Sequence, residues 1–244
     1  MISKKWKYGG KQFCDPSDVR GGNRLAKIYG AENVFDFSLG NPNVPAPEEV
    51  KNAIIELLNE EDPIALRGYT NSNAGYADVR EAVAQSLNER FGTEFEGKNI
   101  VMTVGAAGGL NVILKSLLNP ADEVIVFAPY FGEYRSYVSN YDGVLVEVSP
   151  DTETFQPKLA CVEEKITAKT KSGDRQYAGI IRQELYIRKR RLKNGGNFRE
   201  ETERIRNGYL SYSDEPYREL AYDGVEVPYL TKYYANTIVG YSYS

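Results

Sequence analysis

No histidine occurs among the 244 residues. Ser-His-Asp and Cys-His nucleophile systems, imidazole general bases and histidine-ligated metals are therefore excluded, so no metal site is expected. Cysteine is nearly as scarce. Cys14 and Cys161 stand far apart and alone, which builds neither a disulfide framework nor a zinc spacing, and both are read as ordinary reduced thiols. Long hydrophobic runs are missing too: stretches such as Glu123–Tyr130 are short and interrupted by charge, well below the roughly 20 residues needed to span a bilayer. Met1–Gly10 carries lysines but lacks the apolar core of a signal peptide, so a cytoplasmic protein with no membrane partner is expected. A formal net charge of −4 gives no global attraction to nucleic acid. Any chemistry must come from lysine, carboxylate, tyrosine or a bound cofactor.

With 41% hydrophobic residues the chain can bury a substantial core. PEEVKNAIIELLNEE, from Pro47, opens with proline and acids and repeats Val50, Ile54, Leu57 and Leu58 at helical spacing. Tyr76 to Phe91 repeats the pattern through Val79, Val83, Leu87 and Phe91. The rhythm then changes. KNIVMTV reads as a strand, GAAGG as a tight turn and LNVILKSLL as a helix. EVIVFAP and VLVEV are further strands around the helix-compatible FGEYRSYVSN, and LSYSDEPY and NTIVGYSYS add two more near the end. Strands alternating with helices predict an α/β fold, a mostly parallel sheet flanked by helices.

Several residues at the carboxyl ends of those strands admit two readings each. Gly105, Ala106, Ala107 and Gly108 form a small-residue strand-to-helix turn, either a packing feature or a place where a phosphate meets backbone N–H groups and the positive end of a helix dipole. Asp214 in SDEPY is either a solvated loop acid or a buried carboxylate that keeps a pyridine nitrogen protonated, with Tyr217 three residues on to bond a ring hydroxyl. Phe131 is either core or a flat ring stacked on a planar cofactor. Ser242 means nothing by itself.

Six segments in this order carry a resemblance: FSLGNPNVPAP, RGYTNSNAGYADVREAVA, TVGAAGGLNVILKSLL, FAPYFGEY, SDEPYREL and TIVGYSYS. The chain resembles class I and II aminotransferases of the fold-type I pyridoxal phosphate superfamily, from about Ala31 to Lys171 and again from Ser213 to Ser244. The resemblance implies pyridoxal 5′-phosphate as cofactor and amino-group transfer between an amino acid and a 2-oxo acid. It implies that Gly105, Ala106 and Ala107 hold the cofactor phosphate with Ser242, that Phe131 stacks on the ring, that Asp214 meets the pyridine nitrogen and that Tyr217 meets the ring oxygen. Tyr69 would reach the phosphate of a neighbouring subunit, implying a homodimer, and Gly40 would meet the substrate carboxylate. The lysine that bonds the cofactor as a Schiff base would stand immediately after Ser244, so no catalytic residue is assigned and the chain alone is expected to be inactive.

The resemblance also sets the expected domains. Residues 1–46 would be an N-terminal arm and small-domain segment, and 47–244 an incomplete fold-type I large domain without the C-terminal small domain. Within it 172–212 departs from the family, lacking apolar periodicity where an asparagine motif is expected. Its basic run Arg188–Lys193 reads as a nucleic-acid patch or a solvated helix face. A third reading is translation out of frame. Synonymous codons for Ser172–Ala178, read one base later, can give AVIVNTP, and Cys14–Gly22 can give VIRAMFEEG. On that reading a central strand and its covering helix are lost, and the product is a non-catalytic decayed fragment, unstable or prone to aggregate.

Overall fold

The computed structural model describes residues 16–35, 45–150, 153, 160–165, 179–183, 210–224 and 226–243. The chain divides into two compact units, Met1–Arg80 and Glu81–Ser244. In the first, α1 (Pro16–Tyr29) and α2 (Glu48–Glu60) are separated by a short 3-10 turn at Ala31–Asn33. Proline at the N-cap of α2 and Glu48 and Glu49 in its first turn suit the positive end of the helix dipole. The helix α3 (Ala77–Phe91) leads into the second unit. It stops where Gly92, at φ +62°, donates its N–H to the Asn88 carbonyl at 2.8 Å. A left-handed glycine is the usual way to end a helix.

The second unit is a five-stranded parallel sheet in the order β2-β1-β3-β4-β5, formed by β1 (Glu123–Phe127), β2 (Val144–Val148), β3 (Gly179–Gln183), β4 (Leu210–Glu215) and β5 (Thr237–Tyr241). β1 explains how the layers form. Its side chains alternate between faces, and both faces are covered, so EVIVF is apolar almost throughout. Val124 and Val126 join Tyr212 of β4 under Leu110 and Leu114 of α4 (Gly105–Leu117) and Tyr134 and Val138 of α5 (Tyr134–Asn140). Ile125 and Phe127 face the other way, with Val148 of β2 and Val162 of α6 (Ala160–Lys165). Among the described residues no helix is long and apolar enough to cross a membrane.

Three local expectations are corrected. Ile100–Val104 does not join the sheet, because no described strand lies beside it to take its backbone hydrogen bonds, and Val101 and Val104 are exposed. GAAGG is not a separate turn, because α4 begins at Gly105 itself. The central strand expected to be lost from 172–212 is present as β3, between β1 and β4. Gly179–Gln183 contains two β-branched isoleucines and no proline, and a parallel ladder demands backbone donors and acceptors rather than particular side chains. The basic run 188–193 and the rest of that stretch lie outside the described residues.

Candidate cofactor site

The site is built around Asp214. The two-residue period of β4 puts Tyr212 and Asp214 on the face covered by α4 and α5, and Ser213 and Glu215 on the opposite face. The Tyr134 hydroxyl, at the start of α5, donates to Asp214 Oδ2. Asp214 Oδ1 is buried and has no hydrogen-bond partner among the described residues. Burial pushes the carboxyl above its ordinary range. The hydrogen bond from Tyr134 opposes that rise, the negative charge of Glu215 adds to it, and Tyr212 opposes it again. Burial, then the Asp214 charge, pushes the Tyr134 phenol far upward, so its hydroxyl keeps the proton it donates.

Phe131 belongs to the same constellation. Its ring meets Tyr134 edge-on, with centroids 5.9 Å apart and planes at 83°. It remains 44% exposed, so it does not belong to the core. The segment leading to it is fixed by Tyr130, whose hydroxyl donates to Glu147 Oε2 at 2.9 Å, and by Arg135, which donates to the same oxygen at 3.0 Å.

Helix α4 packs on the same sheet face through Leu110 and Leu114. Gly105 takes φ +67° and has nothing within 4 Å of where a Cβ would stand, while the N-cap Val104 makes no side-chain cap. The amides of Ala106 and Ala107 thus begin a helix with no capping side chain. Ser242 follows β5, and Tyr217 lies just beyond β4, half exposed. Tyr69 is fully exposed in the first unit, and Gly40 lies outside the described residues.

Two features escaped the sequence reading. Tyr134 is one: its partner is 80 positions away, and the only local signal was its place one helical turn after Phe131. The other is the anchor on the far face of β4. Ser213 donates to Glu215 Oε1 at 2.6 Å, Arg218 pairs with Glu215 with both side chains almost wholly buried, and Arg218 donates to the Val227 and Pro228 carbonyls at 2.7 and 2.8 Å. The Arg218 guanidinium also lies 4.9 Å from the Phe91 centroid and 4.8 Å from that of Tyr229, tying α3 to the end of β4. An i, i+3 carboxylate and arginine pair was legible locally; its burial was not.

Helix α4, an aromatic ring and a half-buried acid share one face of the parallel sheet of an α/β protein and could hold a planar, anionic ligand. The sequence profile of class I and II aminotransferases matches residues 32–177, more than half of the chain, and the chain belongs to that family. A probable aspartate/prephenate aminotransferase of Aquifex aeolicus is 34% identical over 143 residues, covering 57% of this chain and 34% of that protein. One from Thermus aquaticus is 31% identical over 197 residues, covering 77% of this chain and 46% of the relative. The crystal structure of an amino transferase from Eubacterium rectale superposes with a TM-score of 0.87 at 38% identity, over 100% of this chain and 62% of that one. The chain thus spans about a third to a half of these curated relatives. The fold is that of the fold-type I pyridoxal-phosphate enzymes.

The residues present fit the cofactor this family uses. An orphaned, buried carboxylate oxygen is the complement of a protonated ring nitrogen, and the uncapped helix start beside open space at Gly105 suits a phosphate dianion.

Proposed function

We propose that this chain carries the cofactor-binding part of a pyridoxal 5′-phosphate-dependent transfer of an amino group from an amino acid to a 2-oxo acid. The observation that supports this most is Asp214, half-buried, oriented by Tyr134, and with its buried Oδ1 lacking a donor among the described residues. When bound, the cofactor supplies an electron sink for bonds at the substrate α-carbon. Asp214 would accept the ring N–H at Oδ1, and its negative charge would keep that nitrogen protonated. Tyr134 would hold Oδ2 so that the carboxylate cannot rotate away. Phe131 would lie against a face of the ring and exclude water there. The amides of Gly105, Ala106 and Ala107 with the Ser242 hydroxyl would hold the phosphate, Tyr217 would donate to the ring oxygen, and the Gly40 backbone would meet the substrate carboxylate. No described lysine is assigned to proton transfer at the substrate α-carbon.

The same reading includes a homodimer, with Tyr69 reaching the phosphate site of the neighbouring copy. Its supports are the full exposure of Tyr69 and the apolar stripe of α2, where Val50, Ile54, Leu57 and Leu58 are each about half exposed, at 49%, 53%, 50% and 62%. Apolar helix faces of this kind ordinarily lie under a partner.

Equilibrium dialysis of the full chain against pyridoxal 5′-phosphate tests the central claim. The cofactor should bind, and Asp214→Asn, which keeps the shape but loses the charge, should weaken binding by about tenfold or more, since each such factor corresponds to about 1.4 kcal/mol. Equal affinity for the two proteins would refute the role of Asp214 and with it the reading of the site.

A further inference from the structure

β4 carries a second buried polar atom that the assignments above do not use. Tyr212 is 2% exposed and packs among Leu110, Leu114, Val124, Val126, Tyr134 and Val138. Its hydroxyl has no hydrogen-bond partner among the described residues. Phenylalanine would fill the same apolar volume without burying an unpaired O–H, so packing does not explain the choice of tyrosine.

The neighbouring strand is shaped to admit that hydroxyl. Gly240 of β5 pairs in register with Asp214. A Cβ at Gly240 would stand 2.1 Å from the Tyr212 oxygen and 2.9 Å from ring Cζ. Gly240 is not among the glycines with positive φ, so its backbone does not require glycine. Glycine inside a strand weakens it and marks a close approach, and the atom approaching is the Tyr212 hydroxyl. Two residues along the same face stands Asp214, with Oδ1 equally unpartnered. A buried donor and a buried acceptor are thus neighbours on one strand face, within electrostatic reach but not aligned as a hydrogen bond. Burial, then the Asp214 charge, raises the Tyr212 phenol well above its ordinary range, so it stays a donor.

We propose that Tyr212, admitted by the missing side chain of Gly240, is a second positioning residue for Asp214, its hydroxyl backing the carboxylate alongside Tyr134 so that the charge and aim of Oδ1 are fixed before a ligand arrives. The inference rests on reading Asp214 as the cofactor's acid. The other groups facing Asp214 are Tyr134 and Tyr137 from α5 and Glu215 from the far side of its own strand; β5 contributes only Gly240, and β3 pairs there at Gln183. Alignment of such hydroxyls commonly tightens when the ligand binds.

The test uses the full chain with 13C-labelled aspartate carboxyls, the Asp214 signal being identified by its loss in Asp214→Asn. Tyr212→Phe should raise the titration midpoint of Asp214 by about one pH unit. It should also weaken dialysis-measured binding of pyridoxal 5′-phosphate by about tenfold at neutral pH. Gly240→Ala displaces the hydroxyl from the opposite strand and should move the midpoint the same way, with a smaller added effect in the Tyr212→Phe background. A Tyr212→Phe midpoint that coincides with the unmodified chain overturns the proposal. If the unmodified chain binds no cofactor, the cofactor reading fails by itself, while the carboxyl titration still decides whether Tyr212 positions Asp214.

Discussion

Replacing Tyr134 by phenylalanine removes one O–H from a half-buried carboxylate and almost nothing else, which makes its consequence calculable. A hydrogen bond to a charged group contributes about 1.5–3 kcal/mol. The Asp214 carboxyl is already raised by burial, and the Tyr134 bond is the largest influence holding it down. Losing that bond moves it further up, by about one to two pH units at about 1.4 kcal/mol each. The sign for stability follows. A carboxyl whose folded-state pKa lies above its unfolded value binds more protons in the folded state, so stability falls as pH rises through the window between the two values. Tyr134→Phe widens this window upward. The variant should therefore match the unmodified chain closely below about pH 4, where Asp214 is protonated in both states, and fall behind by about 1.5–3 kcal/mol near pH 7. Urea unfolding followed by near-ultraviolet circular dichroism at both pH values measures it. A loss of the same size at both ends would show that the hydroxyl only packs, and the electrostatic account would be wrong.

Arg218→Met should destabilise the second unit by about 3–5 kcal/mol, because it strands the buried Glu215 carboxylate, and Glu215→Gln in the same chain should restore much of that in thermal melts. Gly105→Ala should cost about 1 kcal/mol through its positive φ alone, with no clash, yet weaken binding of inorganic phosphate measurably by filling the open space at the start of α4; unchanged phosphate affinity would remove Gly105 from the site. Leu57→Glu on α2 should shift the mass seen by light scattering from dimer to monomer, and a mass indifferent to the change would rule out that face as the contact.

Much of the sheet was legible because burial on both faces writes near-continuous apolar strands, as in EVIVF, while α2 and α3 announce themselves by apolar residues every three or four positions. β3 was not legible: GIIRQ is too short for a period, and its place between β1 and β4 is decided by backbone pairing with strands on either side. KNIVMTV shows the converse: Lys98 and Asn99 close a 3-10 helix, and Ile100–Val104 belongs to no described strand. At the candidate site, Asp214 was singled out near the end of a strand and Phe131 just after one, and in the structure Asp214 lies in β4 and Phe131 follows β1. Tyr134 and Tyr212 were not, for different reasons. The partner of Tyr134 is distant in sequence, and no helical pattern reveals it. Tyr212 was within reach of the period-two rule, being two residues before Asp214 on the same face, but tyrosine in LSYSDE reads as an ordinary strand former until Gly240 shows that its hydroxyl has been given room.

β4 explains why the proposed cofactor acid and a buried ion pair can be consecutive residues. Two carboxylates side by side in a buried strand would each suppress the other's ionisation, and the Glu215 charge does push Asp214 upward. The pleat sends them to opposite faces, where they receive opposite treatment. Glu215 is given Arg218, Ser213 and nearly complete burial, so its charge is spent on holding the turn after β4 against α3. Asp214 is given only neutral hydroxyls, which favour its ionised form without cancelling the charge, and one oxygen is left without a partner. An arginine in place of Tyr134 would pair with Asp214 directly and cancel its charge, leaving less of it to attract a cationic ring.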